Sequence, residues 1–233
     1  MIELGKKQEL IVAKVVDFGV YLGEKETAAE KDTVLLPGKQ VPEGTKKGDK
    51  LSVFIYKDSQ DRLIATTKEP KLFLGETAML KVAQVTRIGA FLDWGLEKDL
   101  FLPYKEQTKK VHEGEEILVS LYIDKSSRLC ATMKVYHYLQ TDSPYAKGDT
   151  VTGLVYEVSD NFGVFVAVDE KYSALIPKQE AQGNYKPGEE LTCRVTEVRE
   201  DGKLTLSAKK KAYIQLHEDA ESVYEIIQEF DGE

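Results

Sequence analysis

The sequence has few of the residues that build metal centres, with two cysteines and three histidines among 233 residues. Cys130 and Cys193 lie 63 residues apart, and no Cys-x-x-Cys pair is present. A structural zinc site is therefore not expected. Both cysteines stand in segments of strand-like composition, so we expect them to be small apolar core residues.

Long apolar runs are also missing. The first residues, Met1–Lys7, do not contain the apolar segment of a secretory signal peptide, and the sequence has no stretch of about 18 apolar residues that could cross a membrane. A cytoplasmic protein with no membrane partner is therefore predicted. Neither a nucleophile–base pair, a metal-ligand cluster nor a phosphate-cradling glycine loop can be recognised, so we expect no enzymatic activity and no cofactor.

The sequence does contain a threefold repeat with a period of about 70 residues. Each copy has a string around a central glycine, then an apolar pair followed by proline, then a second glycine 11 residues after that proline. The central glycines are Gly19, Gly89 and Gly163, the prolines Pro37, Pro103 and Pro177, and the second glycines Gly48, Gly114 and Gly188. This length fits a small self-contained domain better than a solenoid unit. We predict domains at 1–70, 71–140 and 145–212, with packing between copies adding stability because each core is small.

The net charge of −8 is unevenly distributed along the chain. Residues 1–70 have a net charge of 0, residues 71–140 of +1 and residues 141–212 of −2, whereas residues 213–233 carry −7. The three copies are therefore close to neutral. Near-neutral domains are unsuited to many phosphate contacts, and any nucleic-acid partner would have to be held through stacking and hydrogen bonds.

Each copy contains five short runs of strand-like composition. In the third copy these runs are Val151–Val158, Phe162–Val168, Ala174–Ile176, Leu191–Val198 and Lys203–Ser207. Five short strands, with a longer link between the third and the fourth, predict an all-β fold of Greek-key OB barrels. Closing each sheet removes the exposed strand edges that a domain this small would otherwise present.

The central glycine of each copy is predicted to form a β-bulge in the second strand. Phe18 and Tyr21 are three residues apart, so strict alternation would place them on opposite faces of that strand. A bulge at Gly19 would bring both rings onto one face. The first copy also has four extra residues between its central glycine and Pro37, and we expect the polar segment 23–32 to form a longer surface loop.

These features resemble the S1-type RNA-binding domain, which has an aromatic-Gly-small-aromatic string, a glycine before the fourth strand and a basic residue opening the fifth. The tandem arrangement over residues 1–212 is similar to the conserved virulence factor B family of bacterial RNA-binding proteins, whose members have three such domains followed by a winged-helix domain. The resemblance implies a single-stranded RNA partner and a role in regulating gene expression or virulence after transcription. The ribosome or the RNA-decay machinery would be further partners.

The RNA-binding residues of the S1 family map onto this sequence copy by copy. They are aromatic residues of the second strand, with an acidic and a basic residue flanking the last turn. The matching residues are Phe18, Tyr21, Asp58 and Arg62 in copy one, Phe91, Asp124 and Arg128 in copy two, and Phe162, Phe165, Arg199 and Lys203 in copy three. The rings would stack on bases of any identity, and the cationic side chains would neutralise a phosphate or stack on a base.

Several positions depart from the family pattern. Ile88 replaces the first aromatic residue of copy two, and Arg199 stands where an acidic residue is typical, with Glu200 and Asp201 beside it. Proline replaces a family histidine in every copy, which removes a hydrogen-bond donor for base-specific contacts. These departures leave a second interpretation open, namely a protein-interaction scaffold whose barrels have lost RNA binding.

Two further alternatives concern individual residues. Arg62 and Arg128 either contact RNA or form ion pairs with Asp58 and Asp124 across the hairpin. Trp94 has no counterpart in the other copies. It is either a domain-contact residue or a feature of copy two alone.

Residues 213–233 have the periodicity of an amphipathic helix. Its apolar side comprises Leu216, Ala220, Val223, Ile226, Ile227 and Phe230. The resemblance would make it the first helix of a winged-helix domain, which the chain does not complete, either through truncation or because the domain has been lost. A helix of this length is marginal alone, so we expect it to pack on copy three or on a second molecule.

Overall fold

The computed structural model describes residues 2–181 and 183–208. These residues form three closed five-stranded barrels. The chain divides into two compact units after Gln140, the first with barrels 1 and 2 and the second with barrel 3. The prediction of an all-β chain of tandem OB-type barrels is confirmed. The predicted C-terminal helix lies outside the described residues.

The strand bounds follow the runs of strand-like composition. Barrel 1 contains β1 (Lys7–Val16), β2 (Gly19–Gly23), β3 (Val34–Pro37), β4 (Lys50–Lys57) and β5 (Leu63–Thr66). Barrel 2 contains β6 (Thr77–Val85), β7 (Gly89–Asp93), β8 (Leu100–Pro103), β9 (Glu116–Ile123) and β10 (Leu129–Thr132). Barrel 3 contains β11 (Thr150–Ser159), β12 (Gly163–Val168), β13 (Tyr172–Pro177), β14 (Glu190–Val198) and β15 (Leu204–Ser207).

All three barrels share one topology. The strands follow the order first, second, third, fifth, fourth, and the first strand pairs with the fourth to close the sheet. Neighbouring strands are antiparallel except for the third and fifth, which are parallel. Alternation along the strands supplies the interior, as with Val20 and Leu22 of β2 and Val34 and Leu36 of β3, which are all buried.

The predicted bulge at the central glycine is wrong. Gly19 is the first residue of β2, and the register shifts instead in β1, between Val12 and Lys14. The other two barrels show the same shift in their first strands. Glycine is required at this place for another reason, since Gly19 has a φ of +154° and a Cβ there would lie 2.2 Å from the carbonyl oxygen of Leu36. It therefore permits close approach of β2 and β3.

The hydrophobic core of barrel 2 extends onto barrel 1, because it includes Phe54 and Tyr56 of β4, whereas the interior of barrel 1 forms a separate cluster. Trp94 of barrel 2 is buried, and its ring centroid lies 5.8 Å from that of Phe54 and 6.5 Å from that of Tyr56, both in β4 of barrel 1. The indole Nε1–H donates a hydrogen bond to the carbonyl oxygen of Lys98 at 2.6 Å. The domain-contact interpretation of Trp94 is confirmed, and copies one and two pack together.

Both cysteines are buried and free, as expected of core residues. Cys130 lies in β10 and Cys193 in β14. Burial raises the pKa of both thiols to about 11. The inserted segment 23–32 of copy one is mostly exposed and ends in a 3-10 turn, Glu30–Asp32. Within the described residues no helix is long and apolar enough to cross a membrane.

Candidate nucleic-acid interface

The first aromatic residue of barrels 1 and 3 projects into solvent from the turn before the second strand. Phe18 is 60% exposed and Phe162 is 64% exposed. Their backbone is nevertheless anchored, because the carbonyl oxygen of Phe18 accepts a hydrogen bond from the N–H of Gly38 at 2.8 Å. That of Phe162 accepts one from the N–H of Lys178 at 3.0 Å. Each ring is therefore presented to solvent on a fixed backbone.

The second aromatic residue of each barrel lies beside the first. Tyr21 and Phe165 are half-buried. The ring centroids of Phe18 and Tyr21 are 6.3 Å apart with the planes at 85°, and those of Phe162 and Phe165 are 6.3 Å apart at 62°. Phe18 and Phe162 precede the strand, so the alternation rule does not separate them from their partners. Each of these two barrels thus carries one patch of two rings.

Barrel 2 forms its ring pair differently. Ile88 replaces the first aromatic residue and is 66% exposed. The ring of Phe91, which is half-buried, lies 5.3 Å from that of Phe101, its directly opposite residue on β8. Phe101 was not predicted as a site residue. The sequence does contain one indication of it: copy two has an aromatic residue at this position of the repeat, whereas the other two copies have the aliphatic residues Leu35 and Leu175.

Barrel 3 contains a third ring that sequence analysis also missed. Tyr156 occupies the bulge of β11, and its ring centroid lies 6.0 Å from that of Phe165. The bulge positions of the other barrels hold Ala13 and Ala83. Barrel 3 therefore has a continuous series of three aromatic rings, with Phe162 at its exposed end.

The acidic and basic residues of barrel 1 shape its last turn. One carboxylate oxygen of Asp58 accepts hydrogen bonds from the backbone N–H groups of Gln60 and Arg62, at 2.8 and 3.0 Å. The other accepts from Arg62 Nε and Nη2, at 2.9 and 2.7 Å. Desolvation would raise the pKa of Asp58, but these hydrogen bonds outweigh it and hold the pKa below its usual value. The predicted Arg62–Asp58 pair is confirmed.

Arg128 in barrel 2 does not pair with Asp124. Its guanidinium forms an ion pair with Asp61 of barrel 1, because the packing of the two barrels brings the last turn of barrel 1 to this side chain. Asp124 instead accepts hydrogen bonds from the backbone N–H groups of Ser126 and Arg128, at 2.8 and 3.0 Å. Of the two alternatives for Arg128, the ion pair with Asp124 is wrong, and Asp124 shapes the turn.

In barrel 3 a neighbouring residue supplies the carboxylate. Asp201 lies between two cations, with Arg199 Nε at 3.4 Å and Lys203 Nζ at 3.3 Å. Desolvation would raise the pKa of Asp201, but the hydrogen bonds from Lys203 and the two positive charges hold it below its usual value. The arginine at the acidic position is therefore offset by a carboxylate two residues later.

The residue opposite the second ring differs in charge between barrels. Tyr21 is paired across the sheet with Lys14, Phe91 with Gln84 and Phe165 with Glu157. The histidine-replacing prolines each pair with the central glycine of the same barrel and add no donor. Among the described residues, no group of three or more His, Cys, Asp or Glu side chains could hold a metal ion.

Closed OB-type barrels that carry exposed aromatic rings and cationic side chains in their last turns define modules of a nucleic-acid-binding type. Residues 4–68 and 74–134 match the S1 domain family, and residues 145–209 match the S1 RNA binding domain family. The chain belongs to the family of tandem S1-domain proteins that includes the conserved virulence factor B proteins.

Two relatives and one solved structure illustrate the similarity. Uncharacterized protein YitL of Bacillus subtilis is 30% identical over 230 residues, which are 94% of this chain and 74% of that protein. Conserved virulence factor B of Staphylococcus saprophyticus is 24% identical over 194 residues, which are 80% of this chain and 65% of that protein. A multidomain protein with nucleic acid binding domains from Streptococcus pneumoniae TIGR4 has a TM-score of 0.54 at 20% identity, covering 90% of this chain and 75% of that one. This last likeness shows the fold alone.

Proposed function

We propose that the protein binds single-stranded RNA by stacking bases on the ring pairs of its barrels, without catalysing a reaction on it. The observation that carries this proposal is the exposure of Phe18 and Phe162, each beside a second ring and each on an anchored turn. Contiguous exposed apolar patches mark interaction sites, and in each of these barrels two rings adjoin in one patch. A base stacked on such a ring contributes about 1–3 kcal/mol.

The form of the surface favours single strands over duplexes. Bases in a double helix are stacked on each other, so they reach an aromatic side chain only when the strand is open. The described copies are also close to electrical neutrality, which is unfavourable for a tight phosphate clamp on duplex nucleic acid. Since prolines stand at the family's histidine positions, we expect a weak sequence preference.

Regulation after transcription is the cellular role we propose. Several relatives bear the name Conserved virulence factor B, and a protein that binds RNA without cutting it acts by controlling translation or access of nucleases. The ribosome and the RNA-decay machinery are the partners that this role implies. Crosslinking the protein to RNA in cells and mapping the joined residues would test both the role and the rings.

The direct test is fluorescence anisotropy with a short labelled single-stranded RNA. The double variant Phe18→Leu, Phe162→Leu should weaken binding by about 1–3 kcal/mol for each ring that contacts a base. Its circular dichroism should be unchanged because both rings are exposed. Tyr136→Leu is the matched control, since Tyr136 is a 37% exposed ring outside the proposed patches.

Two outcomes would contradict the proposal. Unchanged affinity in the double variant would exclude the ring patches as the binding surface. No RNA binding by the unmodified protein would favour the alternative of a protein-interaction scaffold.

A further inference from the structure

Barrels 1 and 2 leave an open cleft of about 310 Å³ between them. Barrel 2 lines it with Phe91 and Phe101, which form its ring pair, and with Arg128. Barrel 1 lines it with Tyr56 and Asp61. This volume is at the lower end of the range for small-molecule sites and suits a single small planar ligand.

We propose that this cleft is a composite nucleotide site, in which one base stacks against the Phe91–Phe101 pair and its phosphate binds Arg128. The inference rests on the proposed function and deepens it. It assigns to barrel 2 a site that is incomplete without barrel 1, in place of an open patch like those of barrels 1 and 3.

The apolar lining is the first argument. Phe91 and Phe101 are half-buried, and Ile88 beside them is 66% exposed. Next to the cleft the junction is closed by packing around Phe54, and Trp94 and Tyr56, which border the cleft, are themselves buried. Apolar side chains at a junction between two packed barrels normally fill the space available to them. An unfilled aromatic cleft at this place is therefore a site for a ligand with a flat apolar face, which a nucleobase has.

The charges are the second argument. Lys57, Lys98 and Arg128 line the cleft together with two carboxylates, Asp61 and Asp99, so its formal charge is +1 and suits an anionic group. Lys98 Nζ donates to the carbonyl oxygen of Asp58 at 2.9 Å, which holds its charge at the cleft. Both partners of the Arg128–Asp61 pair are more than one third exposed, and an ion pair this exposed is weak. A phosphate can therefore replace Asp61 and form two hydrogen bonds with the guanidinium.

The cleft has a built-in reporter. Trp94 is the only tryptophan in the sequence and lines the cleft. Its fluorescence therefore reports on this site without a contribution from another tryptophan. The experiment titrates the full chain with adenosine 5′-monophosphate, with ribose 5-phosphate as the ligand that lacks the base and adenosine as the ligand that lacks the phosphate.

We expect adenosine 5′-monophosphate to change Trp94 fluorescence saturably and ribose 5-phosphate to leave it unchanged. Phe91→Leu should weaken nucleotide binding by about 5- to 150-fold, the factor that corresponds to one lost base stack. Arg128→Gln, an exposed change that should not affect folding, should weaken binding of the nucleotide and not of adenosine. Asp61→Asn should have the opposite effect on the nucleotide, because it removes the competing carboxylate. Tyr136→Leu should leave both affinities unchanged.

The same single-stranded RNA used for anisotropy separates the two proposals. If the RNA binds but neither it nor the nucleotide changes Trp94 fluorescence, and Phe91→Leu binds RNA normally, the composite site is wrong and the proposed function stands. If the RNA does not bind, the proposed function is wrong, and the nucleotide titration alone then decides whether the cleft is a site. Equal responses to the nucleotide and to ribose 5-phosphate would also overturn base stacking in the cleft.

Discussion

Replacing Trp94 with alanine should weaken the junction between barrels 1 and 2 and destabilise both. The Trp94 side chain is 3% exposed, and its ring contacts Phe54 and Tyr56 of β4. Trp94 follows β7 of barrel 2 in the chain, so its ring is a covalent part of one barrel buried against the other. Its removal therefore opens a cavity at the junction, in the core cluster of barrel 2 that includes Phe54 and Tyr56.

The expected magnitude follows from these contacts. Truncating a buried tryptophan to alanine typically costs about 3–5 kcal/mol, and each aromatic pair contributes about 0.5–1.5 kcal/mol beyond its buried area. The exposed ion pairs Lys68–Glu97 and Lys71–Asp93 typically contribute up to about 1 kcal/mol each and cannot compensate. Single domains are stable by about 5–15 kcal/mol. The loss is thus a large share of the free energy of unfolding of the first unit.

Native-state hydrogen exchange on the full chain measures this loss strand by strand. In the unmodified protein β4 and β9 should open with similar free energies, because both strands contribute side chains to the core cluster of barrel 2. In Trp94→Ala both values should fall by about 3–5 kcal/mol, while β14 of barrel 3 serves as the internal reference and should be unchanged. Trp94→Phe keeps an aromatic ring in the core. Its opening free energies should fall by only about 1 kcal/mol, because only the indole hydrogen bond is lost.

Two results would refute this reasoning. Unchanged protection of β4 in Trp94→Ala would mean that the two barrels do not depend on the tryptophan for their stability. An equal loss in β14 would mean that the substitution acts on the whole chain and not on the junction between barrels 1 and 2.

Three other predictions concern the individual barrels. Gly163→Ala should destabilise barrel 3 by about 2–4 kcal/mol in urea denaturation, because the new Cβ would lie 2.2 Å from a carbonyl oxygen. Gly148→Ala should lower the free energy of unfolding by less, because a Cβ at that position would have no neighbouring atom within 4 Å. Burial raises the pKa of both thiols, Cys130 and Cys193, to about 11. At neutral pH their thiolate forms should therefore be about 100-fold rarer than in the unfolded chain. Alkylation of either cysteine, detected by mass spectrometry, should require unfolding. The pKa of Asp58 is held below its usual value. The Asp58 carboxylate therefore stabilises the fold at neutral pH, and this effect is lost as the pH falls through the lowered pKa. The difference in free energy of unfolding between the unmodified protein and Asp58→Asn should shrink in acid.

Most of the fold was predictable because it is determined by local sequence patterns that recur three times. Strand alternation, turn residues and the paired glycine and proline landmarks all act within one copy. The third strand of copy three was predicted too short, since Tyr172 and Ser173 look like loop residues and become strand only by pairing with Val168 and Ala167. The bulge was misplaced because its residues, an alanine in two copies and a tyrosine in the third, share no compositional signal.

The site was predictable to the extent that it depends on a single barrel. The exposed positions of Phe18 and Phe162 and the Arg62–Asp58 pair follow from the pattern of one copy. The Arg128–Asp61 pair does not, because it depends on how barrel 1 packs against barrel 2. The ring pair of barrel 2 was missed for a related reason, since Phe101 comes from a strand that the family pattern does not mark.

The different residues facing the second rings imply that ionic strength acts unequally on the three barrels. A lysine at Lys14 attracts a nearby phosphate, the amide of Gln84 is neutral, and the carboxylate of Glu157 repels one. Only contacts with phosphate release counterions and weaken as salt rises. On the proposed stacking of RNA, concentrated salt should therefore weaken binding most at the ring beside Lys14 and least at the ring beside Glu157.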